Sequence, residues 1–134
     1  MRIRSMLKAG GVTASALAVC VAVATGARAA GYEMKTDDGN PGGKLSFDSD
    51  GDRAEVCDIQ ADGWSAVAYV IDSSGSTRYA FRASGNGNCA ERSADDGGRY
   101  NLGDGDYYTF RVCLDHDGSG SGDDRFCDSA RWQA

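Results

Sequence analysis

From residue 107 to 114, apolar and polar side chains change sides at every step. Tyr108, Phe110, Val112 and Leu114 share one face of an extended chain, and Tyr107, Thr109, Arg111 and Cys113 share the other. A period of two is the mark of a half-buried strand. The Asp/Gly run ahead of it, residues 103–106, is turn chemistry, since glycine takes positive φ freely and Asp caps turns through its side chain. After Leu114 comes a loop of Asp, His, Gly and Ser, and residues 125–132 return as a second short strand. The result is a hairpin with a cysteine on each arm.

The same reading extends back along the chain. Residues 44–47 make a short strand closed by the Asp48-Ser49-Asp50-Gly51-Asp52 turn. Residues 53–60 set Ala54, Val56, Asp58 and Gln60 against Arg53, Glu55, Cys57 and Ile59. Residues 64–71 are apolar on both faces, which predicts a strand buried on both sides or central in its sheet. Residues 72–76 form a hairpin loop, and 77–83 its returning strand, with Thr77, Tyr79 and Phe81 on one side. From 84 to 105 the chain is rich in Gly, Asn, Ser and Asp, with 89–92 its one strand-like piece. Six or seven short strands at turn spacings of about 8 to 12 residues, without a helical stripe, predict an all-β antiparallel sandwich of immunoglobulin-like kind. The run from Asp104 to Cys113 resembles the start of strand F in such domains. It departs from the tyrosine corner, which sets Tyr two residues before the strand's Cys, because Arg111 stands there. The corner hydrogen bond is therefore not supported by the spacing.

The first residues belong to a different class. Arg2, Arg4 and Lys8 form a cationic start, residues 12–25 an apolar stretch, and Ala27-Arg28-Ala29 a small-x-small cleavage site. Residues 1–29 are read as a signal peptide, 30–43 as a flexible N-terminal arm and 44–134 as the disulfide-stabilised domain. Cys20 reads as an ordinary residue of the apolar stretch and not as a lipidated cysteine. No later stretch approaches the roughly 20 apolar residues of a membrane-spanning helix, so the mature form is expected to be secreted and free of the membrane. The arm, Gly-Tyr-Glu-Met-Lys-Thr-Asp-Asp-Gly-Asn-Pro-Gly-Gly, holds the chain's one proline. Tyr32, Met34, Lys35 and Pro41 are its expected partner-binding residues.

Removing the signal leaves four cysteines, an even number in an exported chain, and predicts two disulfides. The favoured pairing is Cys57–Cys89 with Cys113–Cys127, the latter two facing each other across the terminal hairpin. An inter-sheet Cys57–Cys113 bond is the alternative, and spacing alone leaves both open. Charge narrows the partners. The signal holds four of the 14 Lys and Arg and none of the 20 acids, so residues 30–134 carry a net charge of −10. That balance disfavours nucleic acid and suits divalent cations or a basic protein surface.

Candidate chemistry is thin. Asp48, Asp50 and Asp52 open like a calcium loop, in which carboxylates converge on a hard cation, but the sixth and twelfth positions are Arg53 and Ile59. Asp115, Asp117, Ser119 and Gly120 repeat the suggestion, with Phe126 in twelfth place. A solvated hairpin loop is the better reading of each, and no cofactor is expected. His116 is the one histidine and sits in a Gly/Ser loop without the partners of a triad or a zinc site. The aromatics Trp64, Tyr69, Tyr79, Phe81, Tyr108, Phe110 and Trp132 are expected in the core, with Tyr107 and Trp132 as candidates for an exposed pair.

The block Glu55 to Trp64 and the ending Phe126 to Trp132, with the signal and the small acidic four-cysteine domain, resemble small secreted proteins of streptomycetes and related actinobacteria. In size and layout the chain is similar to the adaptor subunit of the umbrella toxin particles. The resemblance implies a non-enzymatic adaptor that joins larger secreted proteins, with residues 31–43 as a strap against a partner. The alternative is a proteinaceous inhibitor of a secreted hydrolase, a protease or an amylase, inserting residues 73–77 or 116–124 as a rigid loop.

Overall fold

Alternation along the chain becomes the inner and outer faces of two sheets. The computed structural model describes residues 31–118 and 120–134, and the expected signal peptide and Cys20 lie outside them. Eight strands follow in order: β1 Gly31–Lys35, β2 Gly43–Asp48, β3 Arg53–Asp58, β4 Ser65–Ile71, β5 Thr77–Ser84, β6 Cys89–Arg92, β7 Tyr107–Asp115 and β8 Arg125–Gln133. Two single 3₁₀ turns, Ala94–Asp96 and Gly98–Tyr100, lie between β6 and β7. One antiparallel sheet has the order β1-β2-β3-β6 and the other β5-β4-β7-β8. The chain changes sheets between β3 and β4, between β5 and β6 and between β6 and β7, which is the Greek-key path of an immunoglobulin-like sandwich.

The core is the sum of the inward positions. Leu45, Phe47, Ala54 and Val56 of the first sheet meet Ala66, Ala68, Val70, Phe110 and Val112 of the second, all between 0% and 2% exposed. At one end four rings close a circuit. Tyr32 stacks on Phe47 (centroids 6.4 Å) and on Trp132 (5.1 Å), and Phe110 packs on Phe47 (4.4 Å) and Trp132 (5.0 Å). Trp132 is thereby buried, which removes it from the exposed aromatic pair expected with Tyr107.

The circuit also corrects the flexible arm. Residues 31–35 form β1, paired antiparallel with β2 from Gly31↔Asp48 to Lys35↔Lys44. Tyr32 and Met34 point inward and Glu33 outward, where it pairs with Lys44 (3.9 Å). Residues 36–43 are tied as well. The Thr36 N–H donates to the Gly43 carbonyl, the Gly43 N–H returns to Thr36 Oγ1 (both 3.0 Å), and the Gly42 N–H donates to the Asp38 carboxylate (3.1 Å). Gly43 eases this approach, because a Cβ there would lie 3.0 Å from Thr36 Cγ2 and 3.1 Å from Ala66 Cβ and would crowd both. The alternation Tyr-Glu-Met-Lys is visible in the sequence but spans only two apolar positions. Burial against Trp132, from the far end of the chain, is what makes it a strand.

The disulfides are Cys57–Cys89, directly opposite across β3 and β6, and Cys113–Cys127, across β7 and β8 beside a register shift. Each joins neighbours within one sheet, so the inter-sheet alternative does not form. The tyrosine corner is present despite the cysteine spacing: the Gly103 N–H donates to the Tyr108 hydroxyl (2.9 Å). The rule of Tyr two before Cys presumes an inter-sheet bond at that cysteine, and Cys113 bonds within its own sheet.

The Asp48, Asp50, Asp52 calcium candidate is not assembled. Asp48 accepts the Asp50 N–H (2.9 Å) in an exposed turn, whereas Asp52 turns inward at φ 52° and accepts the Leu102 N–H (2.7 Å). Burial pushes the Asp52 carboxyl above its ordinary pKa, Asp104 adds to the rise, and the Leu102 N–H opposes it.

Two outcomes follow for stability. Tyr108→Phe leaves the Gly103 N–H without its acceptor and should cost about 1–2 kcal/mol in urea unfolding, with no change in far-ultraviolet circular dichroism. Asp52→Asn keeps an acceptor for Leu102 and a side chain tolerant of positive φ. A raised carboxyl pKa means that the ionised form is disfavoured by folding, so Asp52→Asn should be more stable than the parent at pH 7. The gap should close as pH falls through the raised value, read by melting temperature between pH 7 and pH 3.

Candidate functional site

The outward side chains of β4, β5, β7 and β8 form the richest surface of the molecule, and register sets its rows. Arg82 lies beside Val67 and Cys113, Tyr69 beside Arg111 and Ser129, and Ile71 beside Thr109 and Arg131, with Tyr107 next to Gln133 at the end. The loop after β7 folds over the first rows and leaves the last ones open.

At the covered end, Asp115 is buried and forms an ion pair with Arg82, while its Oδ1 accepts the Gly118 N–H (3.0 Å). The Tyr69 hydroxyl donates to Asp124 Oδ2 (2.6 Å), and burial together with that carboxylate pushes the phenol far above its ordinary pKa. Carboxylate oxygens of Asp115, Asp123 and Asp124 lie within 4.8 Å of one another. One oxygen each of Asp123 and Asp124 is buried without a hydrogen-bond partner among the described residues. These three acids have the oxygen donors a hard cation takes, and the Arg82 guanidinium already balances part of their charge. The second calcium reading of the sequence thus maps onto this loop with a different set, Asp123 and Asp124 joining Asp115, while Ser119 lies outside the described residues. His116 packs edge-on against Trp64 (5.0 Å). The other acid and cysteine cluster, Glu55 with Cys57 and Cys89, is not a thiolate site because both sulfurs are in a disulfide.

At the open end, Tyr107 is 47% exposed and the Arg131 guanidinium lies over its ring, 5.0 Å from the centroid. Arg111 is exposed and reaches Ser129 Oγ (3.4 Å). A trough of about 450 Å³ has Ile71 and Thr109 as its floor and Tyr107, Arg111 and Arg131 along one side. A second, of about 420 Å³, runs along the other side of Tyr107 between Arg78 and Asp106. The β4–β5 loop forms the facing wall of both. That loop is held from within: Asp72 Oδ1 accepts the N–H groups of Ser74 (2.9 Å) and Ser76 (3.1 Å) and the Ser74 hydroxyl (2.5 Å). These bonds, the Ser74 hydroxyl first, hold the Asp72 carboxyl below its ordinary pKa.

The expected arm residues are divided. Tyr32 and Met34 are spent on the core, Lys35 is exposed and Pro41 half-buried at the surface. Arg111 and Arg131 were legible only as the polar side of their strands. Their meeting on one face depends on the β7–β8 register.

Arg82→Ala would leave the buried Asp115 carboxylate facing two further acids. Because Arg82 itself is partly exposed, the expected loss is about 2–3 kcal/mol in urea at pH 7, below the full value for a buried pair. Arg82→Lys should recover part of it.

No family model and no curated protein matches the chain. Among solved structures, the chain is similar to an endonuclease/exonuclease/phosphatase from Beutenbergia cavernae DSM 12333, at 20% identity with a TM-score of 0.60. The likeness covers 80% of this chain and 28% of that one, and at this identity it is a likeness of fold.

Proposed function

We propose that the protein is a secreted, non-enzymatic protein-binding module, an adaptor between larger exported chains that docks through the open half of the β5-β4-β7-β8 face. The single observation that carries this reading is Tyr107, a half-exposed aromatic with Arg131 stacked on it and Arg111 further along the same face, on a sheet stiffened by the Cys113–Cys127 bond. Tyr and Arg are enriched among the residues that anchor protein interfaces, Tyr as a rigid ring of large contact area and Arg as a planar fork of hydrogen-bond donors. Two disulfides are consistent with an extracellular setting. With Tyr32 and Met34 held in the core, the sheet face takes over the contact that the resemblance assigns to a strap.

The inhibitor reading keeps one specific support, the β4–β5 loop. Three bonds to the Asp72 carboxylate and one from the Ser74 hydroxyl to the Ser76 hydroxyl present Ser73 to Ser76 already ordered, so little entropy is lost on docking.

The tagged protein, incubated with the culture fluid of its source, should retain larger exported chains. Tyr107→Ser, which leaves the core untouched, should release them at least tenfold. Equal retention by parent and Tyr107→Ser would remove this face as the docking surface. Inhibition of a protease or amylase that disappears with Asp72→Ala would replace the adaptor by the inhibitor.

A further inference from the structure

Arg111 and Arg131 bring positive charge to the open half of the face of an acidic molecule, and the Asp72 carboxylate that also lines their trough is turned to Ser74 and Ser76 of its own loop. Arg111 and Arg131 form no ion pair among the described residues, where the ion pairs are Lys44–Glu33, Arg53–Glu91 and Arg82–Asp115. The register sets Arg131 opposite Thr109 and Arg111 opposite Ser129, so the two cations are diagonal neighbours on one face. Like charges so placed repel and lower stability. A chain with twice as many acids as bases after its first 29 residues has no shortage of carboxylates that would relieve them. The pair is left for a ligand from outside.

The edge of β8 is not where that ligand adds. The Asp128 carboxylate accepts the Ser129 N–H (2.8 Å), and the Phe126 carbonyl accepts the Asp37 N–H (2.9 Å), so main-chain groups that a further strand would need are taken. The face is open instead. The trough of about 450 Å³ beside the two arginines has Ile71 in its floor and the Tyr107 ring as one wall. Its partner therefore has acid groups and an apolar component, and it is short in its contact, because a long polyanion would meet the negative charge of the rest of the molecule.

We infer that this trough takes an extended acidic segment of a partner protein, with carboxylates at alternate positions that pair with Arg111 and Arg131 while the intervening backbone lies along Tyr107 and Ile71. The spacing agrees. Diagonal neighbours on antiparallel strands stand about 7–8 Å apart, and side chains two residues apart on an extended chain stand about 6.7 Å apart. Guanidinium forks take carboxylates in bidentate fashion, which gives register as well as attraction. The inference rests on the docking face proposed above and adds the chemistry of its occupant.

The test uses two fluorescein-labelled octapeptides, one alternating Glu and Thr and one of the same composition with all Glu in a block, with the full exported protein. The alternating peptide should bind at least fivefold more tightly by fluorescence anisotropy, and its affinity should fall at least tenfold in Arg131→Glu and in Arg111→Gln. Amide shifts in nuclear magnetic resonance should centre on residues 71, 107, 109, 111 and 131. Equal affinity for both peptides, no binding of either, shifts centred elsewhere, or a heparin or DNA oligonucleotide that outcompetes the alternating peptide would each overturn the inference. So would concentration-dependent dimerisation in sedimentation that Arg131→Glu abolishes, which would give the face to a second copy. Loss of the peptide result with retention of partners still sensitive to Tyr107→Ser would remove the acidic segment alone. Retention of partners indifferent to Tyr107→Ser would remove the docking face beneath it.

Discussion

The four-ring circuit of Tyr32, Phe47, Phe110 and Trp132 is the contact on which the arrangement of this molecule depends. It joins β1 and β2 of one sheet to β7 and β8 of the other, and so closes one end of the sandwich with rings from both termini of the described chain. Aromatic rings bury more area per residue than any other side chain and pack best offset or tilted, which is the geometry found here. Held this way, the β7–β8 hairpin has a fixed inner side, and Tyr107, Arg111 and Arg131 have a fixed outer one. The same contact turns residues 31–35 from a loose arm into an edge strand.

The outer face of the second sheet is then divided by electrostatics. Over its first rows the loop after β7 is drawn down by Arg82 on Asp115 and by Tyr69 on Asp124, and the Cys113–Cys127 bond limits how far the loop can lift. Asp115 has the Arg82 guanidinium and the Gly118 N–H, and Asp124 has the Tyr69 hydroxyl, which offsets the cost of bringing their carboxylates together. Beyond the loop the face is bare, and there the arginines have no carboxylate of their own. One sheet thus carries a closed acidic end and an open basic end within a few strand positions.

Much of the fold was readable from local pattern. The strand 107–114 turned its Tyr108, Phe110, Val112 and Leu114 inward as the alternation required, and the terminal hairpin set Cys113 opposite Cys127. The double-sided apolar run of β4 is central in its sheet, between β5 and β7, with Val67 buried on the outer side beneath the loop. The readings that failed rested on spacing rules whose premise did not hold. The tyrosine corner was measured from an inter-sheet cysteine that this fold lacks, and the aspartates of residues 48–52 were taken as one cluster although Asp52 turns away to cap the Leu102 N–H, 50 residues distant.

By itself the sequence determined the two faces of a strand such as 107–114, that the fold is built from six or seven short antiparallel strands, and that the cysteines close two bonds. Those properties depend on neighbours one or two residues apart, where covalent geometry alone dictates direction. Only the tertiary structure decided that Tyr32 meets Trp132, that Tyr69 reaches Asp124 across 55 residues, and that two arginines from different strands stand side by side. Such meetings are set by register and by the way the sheets stack, which arise from burying the whole core at once, and no local stretch of chain encodes them.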